Sequence, residues 1–103
     1  MKIRAVLVKP NEEPKVVEIE DELFELQNIV DGYIEPITVE DEIVAIVNEE
    51  GQLLGMTPNF YIGYQLIVGP ALFVRDTNDI GYLSLTEEEI AIVKNIVKEG
   101  RGL

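Results

Sequence analysis

The sequence predicts one α+β domain spanning residues 1–103, a mostly antiparallel or mixed sheet with two helices packed on it. Short runs of alternating or β-branched apolar residues recur along the chain at hairpin-length separations. Two segments shift to helical spacing instead. The order of strand, strand, helix, several strands and terminal helix lacks the regular alternation of a doubly wound sheet. With 103 residues and 47% apolar content, the chain has enough apolar surface for one core and no disordered-type composition.

Residues 3–8 form the first expected strand. Ile3, Ala5 and Leu7 alternate with Arg4, Val6 and Val8, and a second face that is also mostly apolar points to a well-covered strand. Pro10 stops it, the stretch from Pro10 to Pro14 turns the chain, and residues 15–19 supply a β-branched hairpin partner. Residues 20–31 change period: Leu23, Leu26 and Val30 fall on one helical face, Ile29 widens it, and Glu20, Asp21 and Glu22 suit a first turn. Gly32 is the expected left-handed stop. Residues 33–39 and 43–47 read as strands joined through Glu40-Asp41-Glu42, and Asn48-Glu49-Glu50-Gly51 turns the chain again.

Residues 55–64 carry no clean period, and a short helix or an irregular aromatic-rich loop both fit them. Residues 65–68 and 71–75 are strand-like and interrupted by Gly69-Pro70, which fits a bulge, a bend or a tight turn and breaks any continuous ladder. The strongest local signal comes last. Thr86-Glu87-Glu88-Glu89 forms a capping box ahead of Ile90, Val93, Ile96 and Val97, which predicts a helix over 86–98 with Lys94 and Lys98 near its negative end and Gly100 as its stop.

Composition excludes several kinds of chemistry. The chain has no cysteine and no histidine, which removes disulfides, cysteine zinc sites and the common His-based catalytic sets. No cofactor is expected. Its formal net charge is −12, a field that repels phosphate backbones and anionic lipid, so neither direct nucleic-acid nor membrane binding is expected. No apolar run approaches a membrane span, and the first residues lack the long apolar stretch of a signal peptide, so a cytoplasmic location is expected.

Three features compete with plain structural readings. The clusters Glu20-Asp21-Glu22-Glu25, Glu40-Asp41-Glu42, Glu49-Glu50 and Glu87-Glu88-Glu89 could present a negative face to a basic protein or mimic nucleic acid, yet carboxylates are ordinary at helix starts and in turns. Asp76-Thr77-Asn78-Asp79-Ile80-Gly81, with Glu87 beyond, approaches a calcium-loop pattern, but Ile80 stands where an oxygen ligand is required and a turn is expected instead. Tyr33, Phe60, Tyr61, Tyr64, Phe73 and Tyr82 suit a core, a pocket or an interface. The candidate binding residues are Glu40, Asp41, Glu42, Phe60, Tyr61 and Tyr64, the last three because residues 55–64 are the least regular part of the chain.

At Gly32-Tyr33-Ile34-Glu35, at Asn48-Glu49-Glu50-Gly51-Gln52-Leu53-Leu54-Gly55 and at Ser84-Leu85-Thr86-Glu87-Glu88, the sequence resembles a small family carried by phages and Gram-positive bacteria, known as domain of unknown function 3846. The resemblance covers nearly the whole chain and departs from the family in the middle, where residues 63–74 run directly into strand-like sequence. It implies a small accessory protein and brings no reaction, cofactor or site residue. Structural readings of the same motifs make Gly32 and Gly51 positive-φ positions and Thr86 a helix cap. The expected function is a non-enzymatic accessory or regulatory module that binds a protein partner; a small-ligand binder is the alternative, and homo-oligomerisation stays open.

Overall fold

The computed structural model describes residues 2–78 and 81–103. The elements are β1 (Lys2–Val8), β2 (Lys15–Glu20), α1 (Leu23–Val30), β3 (Ile34–Glu40), β4 (Ile43–Asn48), β5 (Pro58–Ile62), β6 (Gln65–Val68), β7 (Ala71–Asp76), β8 (Tyr82–Leu83) and α2 (Glu87–Gly100). Among the described residues the main sheet runs β2-β1-β7-β4-β3, with β8 paired to β7, and β5-β6 form a separate hairpin. Every pairing is antiparallel. The chain is thus the α+β domain with two helices that its sequence predicts.

Alternation along the strands builds two cores. On one face Val6, Val8, Ile43, Ala45, Val47, Ala71 and Phe73 meet Ile90, Val93 and Val97 of α2 and Phe60 and Ile67 of the β5-β6 hairpin. On the other, Ile3, Ala5, Val44, Ile46, Leu72 and Val74 meet Leu26 and Val30 of α1. Every residue of β4 is therefore buried. The β1 strand, apolar on both faces, is covered on both as well.

Several local expectations change. The first helix begins at Leu23 rather than at residue 20, because Glu20 is still paired to Lys2 across β2 and β1. Leu23, expected on the buried face, is exposed. Asp31 takes the left-handed cap conformation (φ 62°) expected of Gly32, which follows it as a positive-φ position at 157°; the Gly32 N–H closes the helix on the Gln27 carbonyl at 3.0 Å. Gly51 has no positive φ among the described residues. A side chain there would press on Val68.

The unassigned stretch 55–64 contains β5. Gly69-Pro70 is the corner at which the chain leaves the hairpin for the main sheet, with Gly69 at φ 73° donating to the Thr57 carbonyl at 2.8 Å. The last helix carries the predicted capping box, Glu89 N–H to Thr86 Oγ1 at 3.1 Å and Thr86 N–H to Glu89 Oε1 at 2.9 Å. It runs through Gly100, however, and closes at Gly102 (φ 76°), where the Leu103 N–H reaches the Lys98 carbonyl at 2.9 Å. Gly100 is instead a point of close approach. A Cβ there would overlap the Tyr61 backbone, so its bare Cα lets α2 lie against β5.

Candidate functional site

The β3-β4 reversal carries Glu40, Asp41 and Glu42. A register shift between Thr38 and Glu40 widens the turn, and Asp41 sits at φ 48°. Within it the three carboxylates part company. The Glu42 carboxylate accepts from Arg75 at 3.2 Å, its carbonyl accepts the Asp76 N–H at 2.8 Å, and Arg75 also faces Glu89 at 3.7 Å. Glu42 is thus tied to β7 and, only through Arg75, to α2, although it is exposed like Asp41. Glu40 lines an open cleft of about 350 Å³ with Tyr61, Gly63, Ile96 and Glu99.

The fold therefore brings Glu40 and Tyr61 together although 21 positions separate them in the sequence. Phe60 and Tyr61 point to opposite sides of β5, as strand neighbours must. Phe60 is buried and stacks on Phe73 with ring centroids 5.8 Å apart at 28°. Tyr61 is 51% exposed, and Tyr64, in the turn between β5 and β6, is fully exposed. Among the six candidates Phe60 is a core residue; Glu40, Asp41, Glu42, Tyr61 and Tyr64 are at the surface.

Tyr61 also walls a larger open groove of about 790 Å³, lined by residues 11–13, 58–61, Leu66 and 99–103. Its base is a polar staple. Arg101 donates from Nη1 to the Glu12 carbonyl (2.6 Å), from Nη2 to the Lys9 carbonyl (2.9 Å) and Asn59 Oδ1 (2.7 Å), and from Nε to the Asn59 carbonyl (3.3 Å). Buried Asn59 in turn donates to the Val8 and Gly69 carbonyls at 2.9 and 2.8 Å. The guanidinium thereby joins the β1-β2 turn, β5 and the end of α2, and most of its donors are engaged by the protein itself. Neither residue stands out in the sequence, because a lone Asn in an irregular stretch and an Arg after a helix announce no such junction.

The titration of Tyr82 is displaced: burial raises its pKa above the usual phenol value, and Asp76 and Asp21 add to the effect. Nearby, Asp76 Oδ1 accepts the Asn78 N–H at 2.8 Å, and Asp21 accepts the Tyr82 N–H at 3.1 Å. Asp79 and Ile80 of the calcium-like pattern lie outside the described residues. Glu87 faces Arg4 in an ion pair at the start of α2. Among the described residues no group of three or more acidic, His or Cys side chains is placed to hold a metal ion, and no helix is long and apolar enough to cross a membrane. The clefts offer an aromatic wall between carboxylates, a surface that suits apolar and cationic groups.

These features define a small acidic α+β domain whose antiparallel sheet is covered on both faces and whose clefts are open. The chain belongs to the family described as Domain of unknown function (DUF3846), whose profile matches residues 1–98. No curated protein and no solved structure matches it. The residues that carry the family resemblance hold the fold together here. Asn48 Nδ2 donates to the Val30 and Asp31 carbonyls at 3.0 and 3.2 Å, closing α1, while its Oδ1 accepts the Glu50 N–H at 2.7 Å. A Cβ on Gly32 would press on that same Asn48 side chain. Ser84 Oγ accepts the Arg4 N–H at 2.8 Å, and Thr86 caps α2.

Proposed function

We propose that this domain is a non-enzymatic accessory or regulatory module that acts in the cytoplasm by binding a protein partner. The observation that carries the reading is the placement of Tyr61 and Tyr64: two aromatic side chains stand at the surface of a hairpin whose other face is locked into the core, and Tyr61 shares a cleft with Glu40 and Glu99. Exposed tyrosines on a rigid element supply large contact area at low entropic cost, and interfaces are enriched in them. The neighbouring carboxylates favour a partner with a basic surface and act mainly on encounter rate and orientation.

A small-ligand module is the second reading, favoured by the size of the 790 Å³ groove, which falls within the usual range for ligand sites. Its openness argues against it, because small ligands are typically enclosed over most of their surface. Affinity capture from host lysate at low and high salt, comparing the native chain with a Tyr61→Ser/Tyr64→Ser variant, separates the two. A specific protein retained by the native chain and lost by the variant supports partner binding. Recovery of no specific protein, with a stoichiometric small molecule copurifying, overturns it in favour of the ligand.

A further inference from the structure

The first helix leaves much of its apolar surface uncovered. Only Leu26 and Val30 are buried, while Leu23 is 57% and Phe24 70% exposed. Phe24 faces Tyr33, itself 65% exposed, across an open cleft of about 380 Å³ that Gln27, Asn28, Asp31 and Gly32 complete. The cleft is preformed. Its floor is held by the Gly32 N–H on the Gln27 carbonyl, by Asn48 on the Asp31 carbonyl and by the Glu49 N–H on the Tyr33 carbonyl at 2.8 Å.

Charge along the chain points to what covers this face. Residues 16–74, which include α1 and Tyr33, contain twelve carboxylates and no Lys or Arg, and so carry the whole net charge of −12; the eight cations outside the segment are balanced by eight carboxylates. Arg4 and Arg75 are engaged by Glu87 and by Glu42 and Glu89, and Arg101 by backbone carbonyls. A second copy docking here would set one cation-free acidic segment against another, which like-charge repulsion disfavours. Nucleic acid is repelled for the same reason.

We propose that the α1 face docks a Lys/Arg-rich protein segment that places a large apolar side chain between Phe24 and Tyr33. This assigns a second docking surface, apart from the Tyr61–Tyr64 hairpin, and it rests on the protein-binding function proposed above. The cleft has room for a side chain rather than a folded domain, its walls supply apolar contact, and the carboxylates of α1 and its flanks meet the cations on either side.

Selection of random displayed peptides against the folded full-length chain at low salt tests the inference, because the chemistry of the binder is then read out instead of assumed. Enrichment of Lys and Arg together with Leu, Ile or Phe is expected. A synthetic consensus peptide should bind about tenfold or more weakly to Phe24→Ser and to Tyr33→Ser, as for loss of an interface anchor; the Tyr61→Ser/Tyr64→Ser variant, measured alongside, reports on the hairpin separately. Both substituted residues are exposed, so the circular dichroism and melting temperature of each variant should match the native chain. Neutral or acidic consensus sequences, equal binding of a polylysine probe that lacks apolar residues, indifference to Phe24→Ser, or no enrichment at all would overturn the α1 site. Binding lost only in the Tyr61→Ser/Tyr64→Ser variant would move docking to the hairpin and leave the protein-partner reading standing. The lysate capture tests that broader reading separately.

Discussion

Buried asparagines hold together what the apolar cores leave loose. Asn48 occupies a position at the end of β4 where a valine would continue the burial pattern, yet its amide satisfies two carbonyls at the end of α1 and orders the turn that follows. Asn48→Ala should therefore cost about 1–3 kcal/mol, the penalty for leaving buried polar groups unpaired, measured as a lower urea midpoint. Thr86→Ala should cost about 1 kcal/mol, since an orphan N–H of α2 loses its partner; an unchanged denaturation midpoint would count against the cap. Tyr82 makes a prediction in pH. Its folded-state pKa lies above the unfolded value of 10.0, so above that pH the unfolded chain releases a proton that the folded chain retains, and stability falls. The associated stability is complete below about pH 10 and is lost as pH rises through the folded pKa. Absorbance titration should show one of the four tyrosines ionising late, and Tyr82→Phe should remove that late step and soften alkaline unfolding.

Secondary structure was legible wherever one physical signal dominated. The alternation of β1, the β-branched runs of β2 and β4 and the capping box of α2 each act locally, and each element formed where its pattern lies. The start of α1 was not legible, because whether Glu20 opens a helix or closes a strand depends on Lys2, its partner across the hairpin. The β5 strand was hidden by its register shift between Pro58 and Phe60, which breaks the two-residue period at its first half. The candidate site divided in the same way. Sequence alone places Phe60 and Tyr61 side by side, but only the pairing of β5 with β6 decides which enters the core, and the tie between Glu42 and Arg75 requires β4 to lie against β7. Gly100 shows how tertiary contact overrides propensity. Alanine is the better helix former by about 1 kcal/mol, yet a Cβ at this position would overlap the Tyr61 carbonyl. Gly100→Ala should destabilise the domain by about 1–3 kcal/mol, as for an overpacked core site, and a raised melting temperature would show that α2 can move away from β5 freely.

Across the whole molecule, the fold separates what it must hold from what it can present. Both faces of the sheet are consumed by packing against α1 on one side and against α2 and the β5-β6 hairpin on the other. The acidic β3-β4 reversal lies outside both cores, and its effect on association differs from its effect on folding. Glu42 makes a partly exposed ion pair with Arg75, worth about 0–1 kcal/mol, whereas Asp41 is exposed and Glu40 lines the Tyr61 cleft. Replacing Glu40, Asp41 and Glu42 together with Gln, Asn and Gln should lower folding stability by about 1 kcal/mol or less. The same replacement should slow association with a basic partner at low salt, because rim charges act chiefly on the encounter rate. Native and variant rates should converge as salt rises, since exposed charges more than about 10 Å apart are largely screened at 0.1 M ionic strength. Stopped-flow association measured across a salt series checks this. Rates that are equal at every salt concentration would mean that the reversal takes no part in steering, whereas a variant effect confined to dissociation would place its carboxylates in direct contact with the partner.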